Sequence, residues 1–457
     1  MASQLRKRRT LVAVTSVAAL SAISACSSGG GAAPGGAPAT NVDCSTYSAY
    51  GDLKGKSVSV YTSIVAPEDT SHKDSYKPFE QCTGATVKYE GSKEFEAQLP
   101  VRVKGGNPPD IAYIPQPGLL QTLVKTGKVM KAPQAVSDNT DKYFTKDWKA
   151  YGTVDGAFYA APLGANVKSF VWYSPKTFKA KGYAVPKTWD ELMALSTKIA
   201  TDDPKGKPWC AGFGSGEATG WVGTDWLEDL MLRTAGPDTY NKWVAHQIPF
   251  NDPAVATALA KVGSILKNDK FVNGGLGDVK SIATTTFQDA GVPILDGSCY
   301  MHRQASFYAA NWPKGTKVAE DGDVWAFYLP TVDPSAGKPV LGGGEFVAAF
   351  ANRPEVAAFQ AYLASPEWAN NKAKATPGGG WVSANKDLKV DNLASAVDKL
   401  SAQILQDPKA VFRFDASDQM PGAVGAGTFW KEMTNWVATN KSDKDVLDAI
   451  EQSWPKT

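Results

Sequence analysis

Of the 14 tryptophans in this chain, three stand in glycine-rich surroundings where an ordinary core residue is not expected. They are Trp221 in GFGSGEATGWVGTDWLEDLMLRTAG (212–236), Trp381 in TPGGGWVSAN (376–385) and Trp430 in FDASDQMPGAVGAGTFWKEMTNWV (414–437). An indole offers a flat apolar face and one rim N–H. A sugar ring has an apolar CH face and a belt of hydroxyls, so a site for it needs aromatic plates beside planar hydrogen-bonding groups. Glu217, Trp221 and Asp225 offer that combination on a loop running into a helix, with a helix cap as the competing role for Asp225. Trp381 follows three glycines that permit close backbone approach, and reads either as a ligand contact or as a residue buried between two parts of the fold. Trp430 falls in the first turns of a helix whose apolar stripe continues through Met433, Trp436 and Val437. Trp226 and Trp436 read as core.

Catalytic signatures are mostly missing. There is no G-x-S-x-G elbow, no G-x-x-x-x-G-K-[ST] phosphate loop and no H-E-x-x-H. GFGSG at 212–216 and GAVGAG at 422–427 read as loops. The 46 acidic residues could supply a glycosidase pair, but nothing singles one out. Metal ligation lacks close C-x-x-C spacing, and His72, His246 and His302 are scattered, so no metal and no cofactor are expected.

The elements that must position these side chains alternate. SVSVY (57–61), a helical stretch to Phe79, ATVKYE (85–90), a second helix and DIAYI (110–114) imply βαβ units and a parallel sheet. A crevice is then expected at the carboxyl ends of the strands, in the loops 63–68, 91–94 and 115–118. Thr188-Trp-Asp-Glu191 has capping-box spacing, and Asp252-Pro253 and Ser365-Pro366 place a cap before a proline at the first helical position.

The N-terminus addresses the chain for export. Arg6, Lys7, Arg8 and Arg9 precede the uncharged run LVAVTSVAALSAIS, which is too short to span a bilayer and reads as a signal peptide, residues 1–25. Ile-Ser-Ala-Cys resembles a bacterial lipobox, which makes Cys26 a lipidation site. Residues 26–42 read as the lipidated cysteine and a flexible tether. Losing residues 1–25 removes four positive charges and turns the net +2 into −2, which argues against nucleic acid as a partner. At 457 residues, two lobes with separate cores are expected. Cys44, Cys82, Cys210 and Cys299 read as two disulfides with three possible pairings. Cys44 with Cys82 and Cys210 with Cys299 is favoured, because the first pair would staple the N-terminal segment to an early helix.

The order of several blocks carries a resemblance over nearly the whole mature chain. NPPDIAYI, LVKTGKV, GAFYAAPLGANVKSFVWYSP, PKTWDEL, GEATGWVGTDWLEDLMLRTAG, GGGEFVAAFANRPEVAAFQAYLASPEWA and MPGAVGAGTFWKEMTNWV follow one another. The chain resembles the substrate-binding proteins of ABC sugar importers, the family that includes maltose-binding protein, and most closely its α-glucoside-binding branch. The resemblance implies an α/β, two-lobe periplasmic-binding-protein-like fold (type II), with the ligand cleft between lobes joined by a hinge of several chain crossings. The expected lobes are 43–165 with about 335–375, and 166–334 with about 376–457. By motif position Trp430 matches the principal stacking aromatic, Glu217 an acidic hydroxyl binder, and Asn166 a position where a carboxylate often stands. Gln116 lies in Ile114-Pro115-Gln116, where maltose binders carry an aromatic and a charged pair, and 295–300 lacks a tryptophan often found there. Arg303, Gln304, Glu345 and Glu68 are polar candidates that could compensate.

The expectation is a non-catalytic, monomeric receptor, lipid-anchored at the outer face of the bacterial cytoplasmic membrane. It would take a small sugar and hand it to the membrane subunits of an ABC permease. The competing readings are an extracytoplasmic glycoside hydrolase and the same fold binding a non-sugar solute.

Overall fold

Strand β1, Ser57–Thr62, buries four of its six side chains and half-buries the other two, as expected of a strand covered on both faces. β2, Thr86–Gly91, alternates exposed and half-buried positions at the sheet edge, and β3, Ile111–Ile114, is wholly buried. β1 pairs in parallel with both, and the helices Asp69–Thr83 and Phe95–Lys104 form the crossovers. The computed structural model describes residues 42–333, 337–407 and 409–456. The expected signal peptide, Cys26 and the tether up to residue 41 lie outside the described residues. From Asp43 onward the chain forms one compact unit.

A small hairpin, β4 Thr153–Val154 with β5 Ala157–Phe158, precedes β6, Ala160–Pro162. The chain continues through β7 Asn166–Val167, β8 Phe170–Tyr173, β9 Lys207–Cys210, β10 Cys299–Arg303 and β11 Trp325–Tyr328. It ends its strands with β12 Lys338–Gly343, β13 Phe346–Ala349 and β14 Ala410–Phe414. The first sheet has the order β2-β1-β3-β13-β6 and the second β11-β8-β10-β9. A third sheet, β14-β12-β7, gathers the segments that cross between the other two. β7 lies between β6 of the first sheet and β8 of the second, and β12 between β11 of the second and β13 of the first.

Each large sheet has its own apolar core. Phe95, Leu99, Val103, Leu120 and Leu123 cover the first. Trp172, Trp209, Trp226, Trp243 and Trp436 anchor the second. Fully burying each such side chain is worth roughly 1.5–3 kcal/mol or more, an upper figure because the unfolded chain already hides some surface. Trp226 and Trp436 are core residues, as expected from sequence.

The capping signals correspond to real helix starts. Thr188 Oγ1 accepts from the Glu191 N–H at 3.2 Å, and Glu191 reaches back to the Lys187 N–H at 2.6 Å. Asp252 accepts from the Ala254 N–H at 2.8 Å, and Ser365 from the Trp368 N–H at 3.2 Å. Cys44 bonds to Cys82 and Cys210 to Cys299, with Cα separations of 5.2 and 5.9 Å. The first ties the short helix Cys44–Tyr50 to Asp69–Thr83, and the second joins the neighbouring strands β9 and β10. Among the described residues, no helix is long and apolar enough to cross a membrane.

Candidate functional site

The carboxyl ends of β1, β2 and β3 face a cavity of about 160 Å³ that opens to solvent. Ser63, Ile64, Val65 and Glu68 reach it from the loop after β1, Lys93 and Glu96 from beyond β2, and Pro115 and Gln116 from beyond β3. These are the loops where a parallel sheet leaves its ligand crevice. The opposite wall comes from the second lobe: Ser215, Ala218, Trp221, Phe287, Gln288, Phe307, Asp418 and Trp430. The crossing segments supply the floor through Asn166, Lys168, Gly343, Gly344, Glu345 and Asp415.

Aromatic rings line one side. Trp221 opens the helix Trp221–Val244, and its ring lies 5.1 Å from Phe287 at 70° and 6.0 Å from Phe307. The Lys168 ammonium sits 5.4 Å from the Trp221 ring centroid. Trp430 begins the helix Trp430–Ala438, is 3% exposed, and its Nε1 has no hydrogen-bond partner. Its backbone is pressed against Gly220, whose φ is +117° and where an added Cβ would meet the Trp430 carbonyl oxygen at 2.1 Å. Gly220→Ala is therefore expected to lower stability by about 1–3 kcal/mol through strain and overpacking, as read by urea unfolding. An unchanged unfolding midpoint would show that the close approach is slack.

The polar lining offers both donors and acceptors. Gln116 donates to Glu96 at 3.2 Å and keeps a buried Oε1 free, and Asn166 and Gln288 also have unpartnered buried side-chain oxygens. Asn311 donates to Glu68 at 3.2 Å. Burial pushes the Glu68 and Glu96 carboxyls up to about 7 and raises Glu345 as well. Such an acid ionises near 4.5 when unfolded, so the folded chain holds an extra proton between about 4.5 and about 7. Stability therefore falls as pH rises through that window, and the whole penalty is present above it. Glu96→Gln should flatten this decline in urea midpoints measured from pH 4.5 to 7.5; an unchanged slope would place the excess proton elsewhere.

Beneath the floor runs a buried chain of charges. Lys168 donates to Asp225 at 2.8 Å and to Asp415, and Arg303 lies 3.6 Å from Asp225 and 2.9 Å from Asp229, which also pairs with Arg233. Glu228 accepts from the Ala416 and Ser417 N–H groups at 3.1 and 3.0 Å. Burial alone would lower Lys168, but the Asp225 and Asp415 carboxylates outweigh it and hold the ammonium well above its usual value. Burial likewise opposes ionisation of Asp415, and Lys168 overrides it and holds that carboxyl far down. Asp225, Glu228 and Asp415 place oxygens within 4.8 Å of one another, yet two of the three already neutralise Lys168.

Six of the residues expected from sequence meet in the main cavity: Glu68, Gln116, Asn166, Trp221, Glu345 and Trp430. Trp381 borders a narrower chamber that shares Glu68, Asn166 and Glu345 with it. Four others fall elsewhere. Glu217 is exposed, because the turn around it brings Ser215 and Ala218 to the wall instead. Asp225 is no cap, since the helix starts at Trp221 after Gly220; it is buried under Lys168. Arg303 is buried away from the cavity, its Nη2 donating to Asp229 at 2.9 Å with Asp225 3.6 Å from Nη1. Gln304 is buried, its carbonyl accepting from Trp172 Nε1 at 3.1 Å and its side chain from the Ala305 N–H at 2.8 Å. Sequence reasoning missed Glu96, Lys168, Phe287, Phe307, Asp415 and Asp418. Lys168 and the two aspartates sit inside PLGANVK and FDASDQ, where charge in an otherwise small-residue block was the available signal.

Residues 59–370 match the family of bacterial extracellular solute-binding proteins. Over 417 residues the chain is 39% identical to the osmoprotective compounds-binding protein GgtB of Synechocystis sp., covering 90% of this chain and 96% of that protein. It is 38% identical over 422 residues to the alpha-glucosides-binding periplasmic protein AglE of Rhizobium meliloti, covering 88% of each. Among solved structures, the bacterial solute receptor AcbH superposes with a TM-score of 0.73 at 18% identity, over 87% of this chain and 98% of that one. Maltose-bound MalE3 of T. maritima does so with a TM-score of 0.66 at 17% identity, over 87% and 98%. With the two sheets, the crossing strands and the cleft they enclose, these matches make the architecture the two-lobed type II fold, and the chain belongs to the bacterial extracellular solute-binding proteins.

Proposed function

We propose that this chain is the sugar-capturing receptor of an ABC importer, holding an α-glucoside or a related di- or oligosaccharide between its lobes without chemical turnover. The observation that carries the reading is the convergence of Trp221 and Trp430 from one lobe with Glu68, Glu96 and Gln116 from the other on a single cleft. Indole faces suit the CH side of a pyranose, and the amide and carboxyl oxygens suit its hydroxyls. The α-glucoside preference is supported by the likeness to AglE, whose name states that ligand class.

In this reading the lobes are 43–165 with about 335–375, and 166–334 with about 376–457, and they close about the segments of the third sheet. Sugar shifts an open-to-closed equilibrium, and the permease subunits recognise the closed form. The signal peptide 1–25 is removed, and lipidated Cys26 with the tether to residue 42 holds a monomer at the outer face of the membrane, raising its effective concentration near the permease.

A thermal-shift panel of mono- and disaccharides tests the central claim, since a ligand that binds only the folded state raises the melting temperature. At least one α-glucoside should do so, by an amount equivalent to about 2.7 kcal/mol at a hundredfold excess over its Kd. No shift with any sugar would end the reading. Product formation that disappears when cavity carboxylates are replaced would favour a glycoside hydrolase.

A further inference from the structure

Two walls of the cleft come from different sheets, and a side-chain hydrogen bond joins them. Glu68, from the loop after β1 of the first sheet, lines the cavity. Asn311 closes the short helix Ser306–Asn311, which follows β10 of the second sheet and whose Phe307 lines the opposite wall. Asn311 Nδ2 donates to Glu68 Oε1 at 3.2 Å across 243 positions of sequence. Asn311 itself does not border the cavity.

The helix that carries Asn311 is held by other bonds. Ser306 Oγ accepts from the Val167 N–H at 3.1 Å, which ties the helix to the crossing strand β7. Tyr308 Oη accepts from the Gly291 N–H at 2.9 Å and donates to the Gln288 carbonyl at 2.7 Å. Gly380, with φ at +100°, packs so closely that an added Cβ would meet the Phe307 carbonyl at 2.8 Å and Ala310 Cβ at 3.1 Å. Asn311 is thus presented from a fixed mount, while Glu68 stands on a connecting loop, a class of segment with more freedom to move. An amide suits this partner. Its N–H2 serves a carboxylate and, turned over, its carbonyl serves a carboxylic acid, and Asn311 Oδ1 is buried with no partner of its own. The other charged groups acting on Glu68 are Glu345 and Asp69, which oppose its ionisation, and Lys372, which favours it.

We propose that Asn311 is a positioning residue: by holding Glu68 Oε1 from the opposite wall it leaves Oε2 for a sugar hydroxyl and slows the sugar's escape, without touching the sugar itself. The inference rests on the sugar-receptor reading above and adds a residue outside the cavity that sets how long the ligand stays. A bond between two walls exists only once the walls have met, and the sugar meets the open cleft first. Its loss therefore acts on dissociation and leaves association unchanged.

The test is stopped-flow kinetics and isothermal titration of the full mature chain with whichever of maltose, trehalose and sucrose gives the largest thermal shift. Asn311→Leu, of similar size but without the amide, should raise koff about tenfold and leave kon within about twofold, the effect of losing one hydrogen bond to an ionisable group. Asn311→Asp should be as weak at pH 8, where two carboxylates face each other, and should regain affinity relative to the unaltered chain as pH falls to 5, where its protonated carboxyl can donate to Glu68. Asn311→Leu should show no such recovery. An unchanged koff, a loss confined to kon, or a pH profile shared by the two variants would overturn the proposal. If Asn311→Leu does not fold, the pH recovery of Asn311→Asp decides alone, and its absence overturns the proposal. Failure of every sugar to bind the unaltered chain would instead overturn the receptor reading, so the two failures are distinct.

Discussion

Trp430→Ala is expected to abolish the sugar-induced rise in melting temperature. The indole is 3% exposed, borders the cleft and carries an unpartnered Nε1. Truncating a large, desolvated aromatic at the centre of a site commonly removes 2 kcal/mol or more of binding, and each 1.4 kcal/mol is tenfold in Kd. A loss of roughly 30- to 100-fold follows, enough to erase the shift at ordinary ligand concentrations. The same truncation opens a void, and the loss of stability without ligand should stay below the roughly 3–5 kcal/mol of an interior Trp→Ala change because one face already borders the cleft. Trp430→Phe should keep a plate and much of the shift. A normal shift in Trp430→Ala would remove this residue from the site.

Lys168→Met should produce the largest loss of stability. The ammonium is the bridge between Asp225 and Asp415, and Glu228 and Asp418 stand close enough to raise its affinity for a proton further. Removing one partner of a buried pair leaves an uncompensated charge and typically costs about 3–5 kcal/mol. Urea unfolding at pH 7 measures it. The defect should shrink as pH falls, because carboxyls deprived of Lys168 take up protons more readily. Adding Asp415→Asn should recover part of the loss, since it removes one of the stranded carboxylates. A loss below about 1 kcal/mol, or no recovery in the double variant, would mean the bridge is energetically idle.

These two variants divide the site by how legible it was. The aromatic lining was readable because an indole among glycines is out of place in a core: Trp221, Trp381 and Trp430 all border space, while Trp436, set in an apolar stripe, is buried. The loops after β1, β2 and β3 were readable because alternation of strand and helix dictates where a parallel sheet opens. Charged residues were harder. Arg303 and Asp225 look like hydroxyl binders as residue types, and only the fold buries them away from the cavity, Arg303 paired with Asp229 and Asp225 with Lys168. Glu217 is in the right block but on the wrong side of a turn.

The order of blocks, the helix caps and the aromatic character of the cleft were set by local spacing and composition, which act over a few residues and survive in one dimension. Which carboxylates face the cleft and which are neutralised beneath it depends on Lys168, Asp225 and Asp415, drawn together over separations of 57 and 247 residues. A side chain's free hydrogen-bonding capacity is whatever its partners leave over, and those partners exist only once the chain is folded.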